Sequence, residues 1–167
     1  MNLAITDTGP PLHLNQIGYL RLFNIFEKIV VSKQVKDELL KFGVWSFFTK
    51  EMATHLQEEI VTDDEINKEQ DKRKDHMLHK TDLSVLVLMC RMMDALALTD
   101  DLSLRRAIES LGRVVVGSIG ILIRGYRDQR LSKDELHRCM DLLFNDSSLY
   151  LSRAFRVRVL KLIEKIR

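Results

Sequence analysis

Residues 95–117 read ALALTDDLSLRRAIESLGRVVVG. Ala95-Leu96-Ala97-Leu98-Thr99 is a short apolar run, and Asp100-Asp101-Leu102-Ser103 then opens a helix whose Leu104, Ala107, Ile108 and Leu111 share one face. Val114-Val115-Val116-Gly117 is a second apolar run. Apolar on both faces and joined through a helix, the two runs predict strands of a parallel sheet that is covered on both sides.

The same alternation continues outward. Leu3-Ala4-Ile5 reads as a buried strand that runs into Thr6-Asp7-Thr8-Gly9-Pro10-Pro11, where the two prolines mark a helix start. Leu12, Leu14, Ile17 and Leu20 form a first helix, and an apolar face continues through Leu22, Phe23, Ile25 and Phe26. Lys28-Ile29-Val30-Val31 is a β-branched strand, and Ser32 caps the helix that follows. Thr81-Asp82-Leu83-Ser84 opens a strongly apolar helix to Met93. Beyond Ile119, three helices are expected, near 120–126, over 132–144 and over 152–166, so that 132–167 forms a C-terminal helical segment. The predicted fold is a helix-rich three-layer α/β/α sandwich with a central parallel sheet of about four to five strands. One domain spans residues 1–167. Within it, residues 57–76 stand apart, with acids and lysines interleaved, and read as a charged helical arm or insertion.

Composition narrows the function classes. With 46% hydrophobic and 30% charged residues and a net charge of +2, the chain is of ordinary globular type, and nothing global demands a polyanionic partner. Cys90 and Cys139 belong to no CxxC or Cys/His cluster and read as reduced core residues. No signal peptide and no membrane-length apolar run is recognisable, which makes a cytoplasmic location the expectation.

Functional groups of a parallel sheet collect beyond the carboxyl ends of its strands. Asp7 and the pair Asp100-Asp101 meet that rule, each following a threonine at a strand end. Glu38 and Asp82 lie on helices, on or near apolar faces. Taken singly, each acid is more simply read as a helix cap or a surface residue. Taken together, converging carboxylates repel by roughly 4 kcal/mol per pair at about 4 Å and an effective dielectric of 20, so a cluster calls for a cation. Oxygen-only ligands select Mg²⁺ or Mn²⁺, and the five scattered histidines offer no zinc-like spacing. Such a site fits phosphodiester hydrolysis.

The segments ITDTGPPLHLNQIGYLRLF, VVSKQVKDELL, LHKTDLSVLVL, ALALTDDLSLRRAIESLGRVVVGSIGIL and SKDELHRCMDLLFNDSSLYLS, in that order, resemble a PIN domain of the free-standing prokaryotic, VapC-like type. The resemblance spans nearly the whole chain. It implies an α/β/α nuclease that cuts single-stranded RNA with three or four acids around Mg²⁺ or Mn²⁺, leaving 3′-hydroxyl and 5′-phosphate ends, in many cases as the toxin of a toxin–antitoxin pair. By motif, the catalytic acids are Asp7, Glu38, Asp82 and Asp101. Asp7, Asp82 and Asp101 are the implied metal ligands, with Asp100 a possible substitute for Asp101 and the Thr8 hydroxyl helping to hold the attacking water. Three features depart from the pattern: Pro11 replaces an aliphatic residue, Thr81 stands where glycine is frequent, and the charged 57–75 segment has no counterpart in the core.

Arg105 and Arg106, on the helix that begins at the acids, are the candidate substrate-binding residues, and a solvated helical face is their alternative reading. Trp45-Ser46-Phe47-Phe48 reads as a core or dimer contact. The resemblance further implies a homodimer, an antitoxin protein as possible partner, and no membrane. A catalytically silent module that acts through nucleic-acid or protein binding is the alternative function. An aspartyl phosphatase is a poor fit because Gly9 stands two residues after Asp7, and no GxGxxG follows the first strand for a dinucleotide enzyme.

Overall fold

The computed structural model describes residues 3–73 and 77–166. In chain order the elements are β1 (Leu3–Thr6), α1 (Gly9–Gln16), a 3-10 helix (Leu20–Ile25), β2 (Lys28–Ser32), α2 (Lys33–Lys41), α3 (Trp45–Glu51), β3 (Leu56–Glu59), α4 (Asp63–Lys72), α5 (Lys80–Arg91), β4 (Leu96–Leu98), α6 (Leu102–Glu109), β5 (Val115–Val116), α7 (Ser118–Arg127), α8 (Lys133–Asn145) and α9 (Arg153–Glu164). The five strands form one parallel sheet in the order β3-β2-β1-β4-β5, the predicted α/β/α sandwich with its central sheet.

That order decides where a site can form. From β1 the chain steps to β2 and β3 on one side, then returns to place β4 and β5 on the other. The connections that leave β1 and β4 therefore diverge, and a crevice opens between their carboxyl ends. The ladder holds the two ends together as far as the Asp7 amide, which donates to the Leu98 carbonyl at 2.9 Å.

The helices cover the sheet because their apolar stripes can be buried nowhere else. α5 packs on β1 and β2 and is flanked by α2, α4 and α6, with every residue from Thr81 to Met89 buried. On the other side α7 joins α1, the 3-10 helix and α8. Gly125 lets α7 approach closely, since a Cβ there would stand 2.9 Å from Leu22. Phe23, Phe26 and Phe48 are fully buried, with Phe23 and Phe48 edge-to-face at 5.1 Å. The Ser32 hydroxyl accepts from the Val35 amide and caps α2 as expected.

The segment read as a charged arm divides in two. Leu56–Glu59 is β3, an edge strand paired with β2 rather than part of an arm. Thr62 and Glu65 form a capping box for α4, which packs on α5 with Ile66 inside and with Glu69 buried and paired to Arg73 at 2.6 Å. Residues 74–76 of that segment lie outside the described residues. Trp45–Glu51 is a helix, with Phe48 in the core and Phe47 exposed. Cys139 is buried as expected, whereas Cys90 is exposed, because it sits where α5 turns its last turn to solvent. Among the described residues no helix is long and apolar enough to cross a membrane.

Candidate active site

Four elements deliver acids to the crevice. β1 ends at Thr6, so Asp7 follows directly, 7% exposed, with the Thr99 hydroxyl donating to its Oδ2 at 3.0 Å. Glu38 projects from α2 and is held from two sides, by the Thr8 hydroxyl at 2.6 Å and by the Thr81 hydroxyl. Asp82 lies in the first turn of α5, where its carboxylate accepts the His79 amide at 2.7 Å. Asp101 caps α6 by accepting the Leu104 amide at 2.7 Å.

The electrostatics tie these acids to one another. Burial pushes the Asp7 carboxyl up to about 7, and the charges of Asp82 and Glu38 push the same way, against hydrogen bonds from Thr8 and Thr99. Burial likewise raises Asp82, with Asp101 and Glu38 repelling it and the His79 amide opposing. Thr8, next to Asp7, and Thr81, next to Asp82, both donate to Glu38 and so tie the segments that carry these three acids together, while Asp101, exposed at the start of α6, is tied to the same junction by its amide on the Thr99 hydroxyl. Among the described residues none of the four is in an ion pair within 4 Å. Nor, among those residues, does any group of three or more His, Cys, Asp or Glu side chains stand arranged to hold a metal ion. Each carboxylate accepts from a nearby hydroxyl or amide. All-oxygen donors, two of them with raised pKa and none paired, are chemistry that suits a hard divalent cation.

Asp100 is placed differently. Its Oδ1 accepts the Ser118 amide at 2.7 Å, and its Oδ2 accepts the Ser118 hydroxyl and lies 2.8 Å from His13 Nδ1. It ties the start of α7 to α1 across the crevice. Gly117 makes room for it, because a Cβ there would stand 2.6 Å from Asp100 Oδ1. The sequence reading missed His13 and Ser118. The one available signal was a Gly-Ser pair closing a strand opposite a histidine on the buried face of α1.

The arginines diverge as well. Arg105 donates to the Thr99 carbonyl at 3.1 Å and to the Val115 carbonyl at 3.3 Å, which fastens α6 to the ends of β4 and β5. Arg106 lies exposed on α6.

A family model described as a PIN domain matches residues 3–165. That family is of nuclease type, and its members usually use divalent metal ions. No curated protein matches the chain.

Proposed function

We propose that this chain, which belongs to the PIN-domain family, is a Mg²⁺- or Mn²⁺-dependent endoribonuclease that hydrolyses phosphodiester bonds in single-stranded RNA, acting as the toxin of a toxin–antitoxin pair. The observation that carries the reading is the linkage of buried Asp7 and buried Asp82 at the switch point of the sheet, through Glu38 and its two threonines, with Asp101 tied to Asp7 through Thr99. Burying Asp7 and Asp82 without a cationic partner costs stability, and a ligand that neutralises them accounts for that cost.

Asp7, Asp82 and Asp101 would hold the cation, whose chemistry is to lower the pKa of a water and to neutralise charge on the phosphate. Glu38, held by the Thr8 and Thr81 hydroxyls, would accept a proton from the attacking water. The Thr8 hydroxyl, which donates to Glu38, would accept from that water and help hold it in position. Burial, helped by the charges of Asp82 and Glu38, holds the Asp7 carboxyl up at about 7, so cation binding there at neutral pH would release a proton from the part of the population that carries one. Arg106 is free to approach the substrate from α6, while Arg105 stiffens the edge of the sheet.

The test is incubation of the purified full chain, free of any co-purifying antitoxin, with labelled single-stranded RNA. Cleavage in Mn²⁺, its loss in EDTA and its loss in Asp7→Asn support the reading. Intact RNA in Mn²⁺ with wild-type protein overturns it and leaves a binding module.

A further inference from the structure

A cavity of about 650 Å³ adjoins the acids on the β5 side. Asp100 and Arg105 form its wall towards the crevice, and the turn before α9 forms the opposite wall. Its lining is largely apolar, from Leu102, Ile119, Leu149 and Phe155. At the rim, Tyr150 is 88% exposed and Phe155 46% exposed, an unusual amount of open aromatic surface for two residues only five apart.

We propose that this cleft is a subsite for an unpaired base of the RNA strand, with Tyr150 and Phe155 as its stacking surfaces and the basic face of α9 as the track for the adjoining phosphates. The inference rests on the ribonuclease reading above and extends it to the strand beyond the cleaved bond. The occupant follows from the neighbourhood of Tyr150, Arg153, Phe155 and Arg158, which sets flat apolar groups beside cations, whereas Arg156 turns inward onto the Leu151 carbonyl and the Phe144 ring. From 153 to 166 there are five cations, Arg153, Arg156, Arg158, Lys161 and Lys165, against the single acid Glu164. Single-stranded nucleic acid carries the complementary alternation of stackable bases and anionic phosphates. An acidic centre repels a polyanion, so neighbouring cations must supply the attraction. Aromatic and arginine side chains also serve protein interfaces, so the excess of cations over acids on α9 is what favours a polyanionic strand.

The experiment measures fluorescence anisotropy of a labelled 12-nucleotide oligouridylate with the full chain in EDTA, where metal-dependent cleavage does not run. Tyr150→Ala and Phe155→Ala are each expected to weaken binding about tenfold. Neither change is expected to alter the binding of an abasic ribose-phosphate oligomer of equal length. The exposure of Tyr150 makes misfolding of its variant unexpected, which circular dichroism checks. Two variants that bind oligouridylate as tightly as wild type overturn the subsite even if RNA is still cut in Mn²⁺. It is also overturned if Tyr150→Ala leaves RNA affinity unchanged but dissociates a dimer, since the cleft is then a protein-docking surface. Binding that depends on Tyr150 without cleavage in Mn²⁺ supports the subsite while the nuclease reading fails.

Discussion

The Thr99 hydroxyl donates to Asp7 Oδ2 at 3.0 Å, across the junction where β4 ends beside β1. The same oxygen accepts the Asp101 amide at 3.1 Å, so one side chain sets the spacing between the first and last acids of the crevice. Thr99→Val keeps the shape and removes both bonds. The expected cost is about 1–3 kcal/mol of stability, read from the urea midpoint, with weaker Mn²⁺ binding because Asp7 loses a hydrogen bond that favours its ionised form.

The raised pKa of Asp7 has a definite sign. Its carboxyl titrates near 3.8 when unfolded and at about 7 when folded, so between those values the folded state holds a proton that the unfolded state has released. Stability of the metal-free protein is fully present below about pH 4 as far as Asp7 is concerned, and is lost as pH rises through about 7. The shift of about three pKa units sets a ceiling of roughly 4 kcal/mol. Asp82, also raised, adds in the same direction. Asp7→Asn removes the Asp7 share, so its stability relative to wild type grows from pH 4 to pH 8 in EDTA. Urea unfolding across that range measures it.

Asp100 and Asp101 are neighbours with separate duties. Asp101→Asn preserves the cap of α6, since asparagine caps as well as aspartate, and its stability is expected within about 0.5 kcal/mol of wild type. Its RNA cleavage is expected to fall by about a hundredfold, because a charge that acts on Asp82 is gone. Asp100→Ala leaves the Ser118 amide and hydroxyl and His13 without their acceptor and is expected to destabilise by about 2–3 kcal/mol. Thermal unfolding and initial cleavage rates separate the two.

Gly117→Ala places a methyl 2.6 Å from Asp100 Oδ1 and 3.3 Å from the Thr99 carbonyl, so Asp100 must move. A loss of about 1–3 kcal/mol is expected, and it should be smaller in an Asp100→Ala background, a coupling that a double-mutant cycle reads directly.

Much of this arrangement is legible in the residues. Strands buried on both faces, such as Leu3–Thr6 and Leu96–Leu98, announce themselves by continuous apolar runs, and the threonine-acid junctions after them mark the carboxyl edge. β3 is not legible, because Leu56-Gln57-Glu58-Glu59 is an edge strand whose exposed side chains are charged and leave no apolar period. The arm read from residues 57–76 failed for that reason at its start, and α4 hides its contact with the core in two buried residues, Ile66 and Glu69. The bond between His13 and Asp100 spans 87 positions, and no local pattern encodes it. Arg105 looked like a phosphate ligand because the sequence cannot show that two carbonyls at the strand ends take its donors.

The central claim is that acids from four elements serve one cation. Titration of Mn²⁺ into the full chain, followed by electron paramagnetic resonance at pH 8, tests it most directly when repeated on Asp7→Asn, Glu38→Gln, Asp82→Asn and Asp101→Asn. Saturable binding is expected for wild type, with weaker binding in the ligand variants Asp7→Asn, Asp82→Asn and Asp101→Asn, most strongly in the first two, and a smaller loss in Glu38→Gln, which removes only a neighbouring charge. Wild-type binding that survives unchanged in both Asp7→Asn and Asp82→Asn, or no binding by wild type at all, would contradict it.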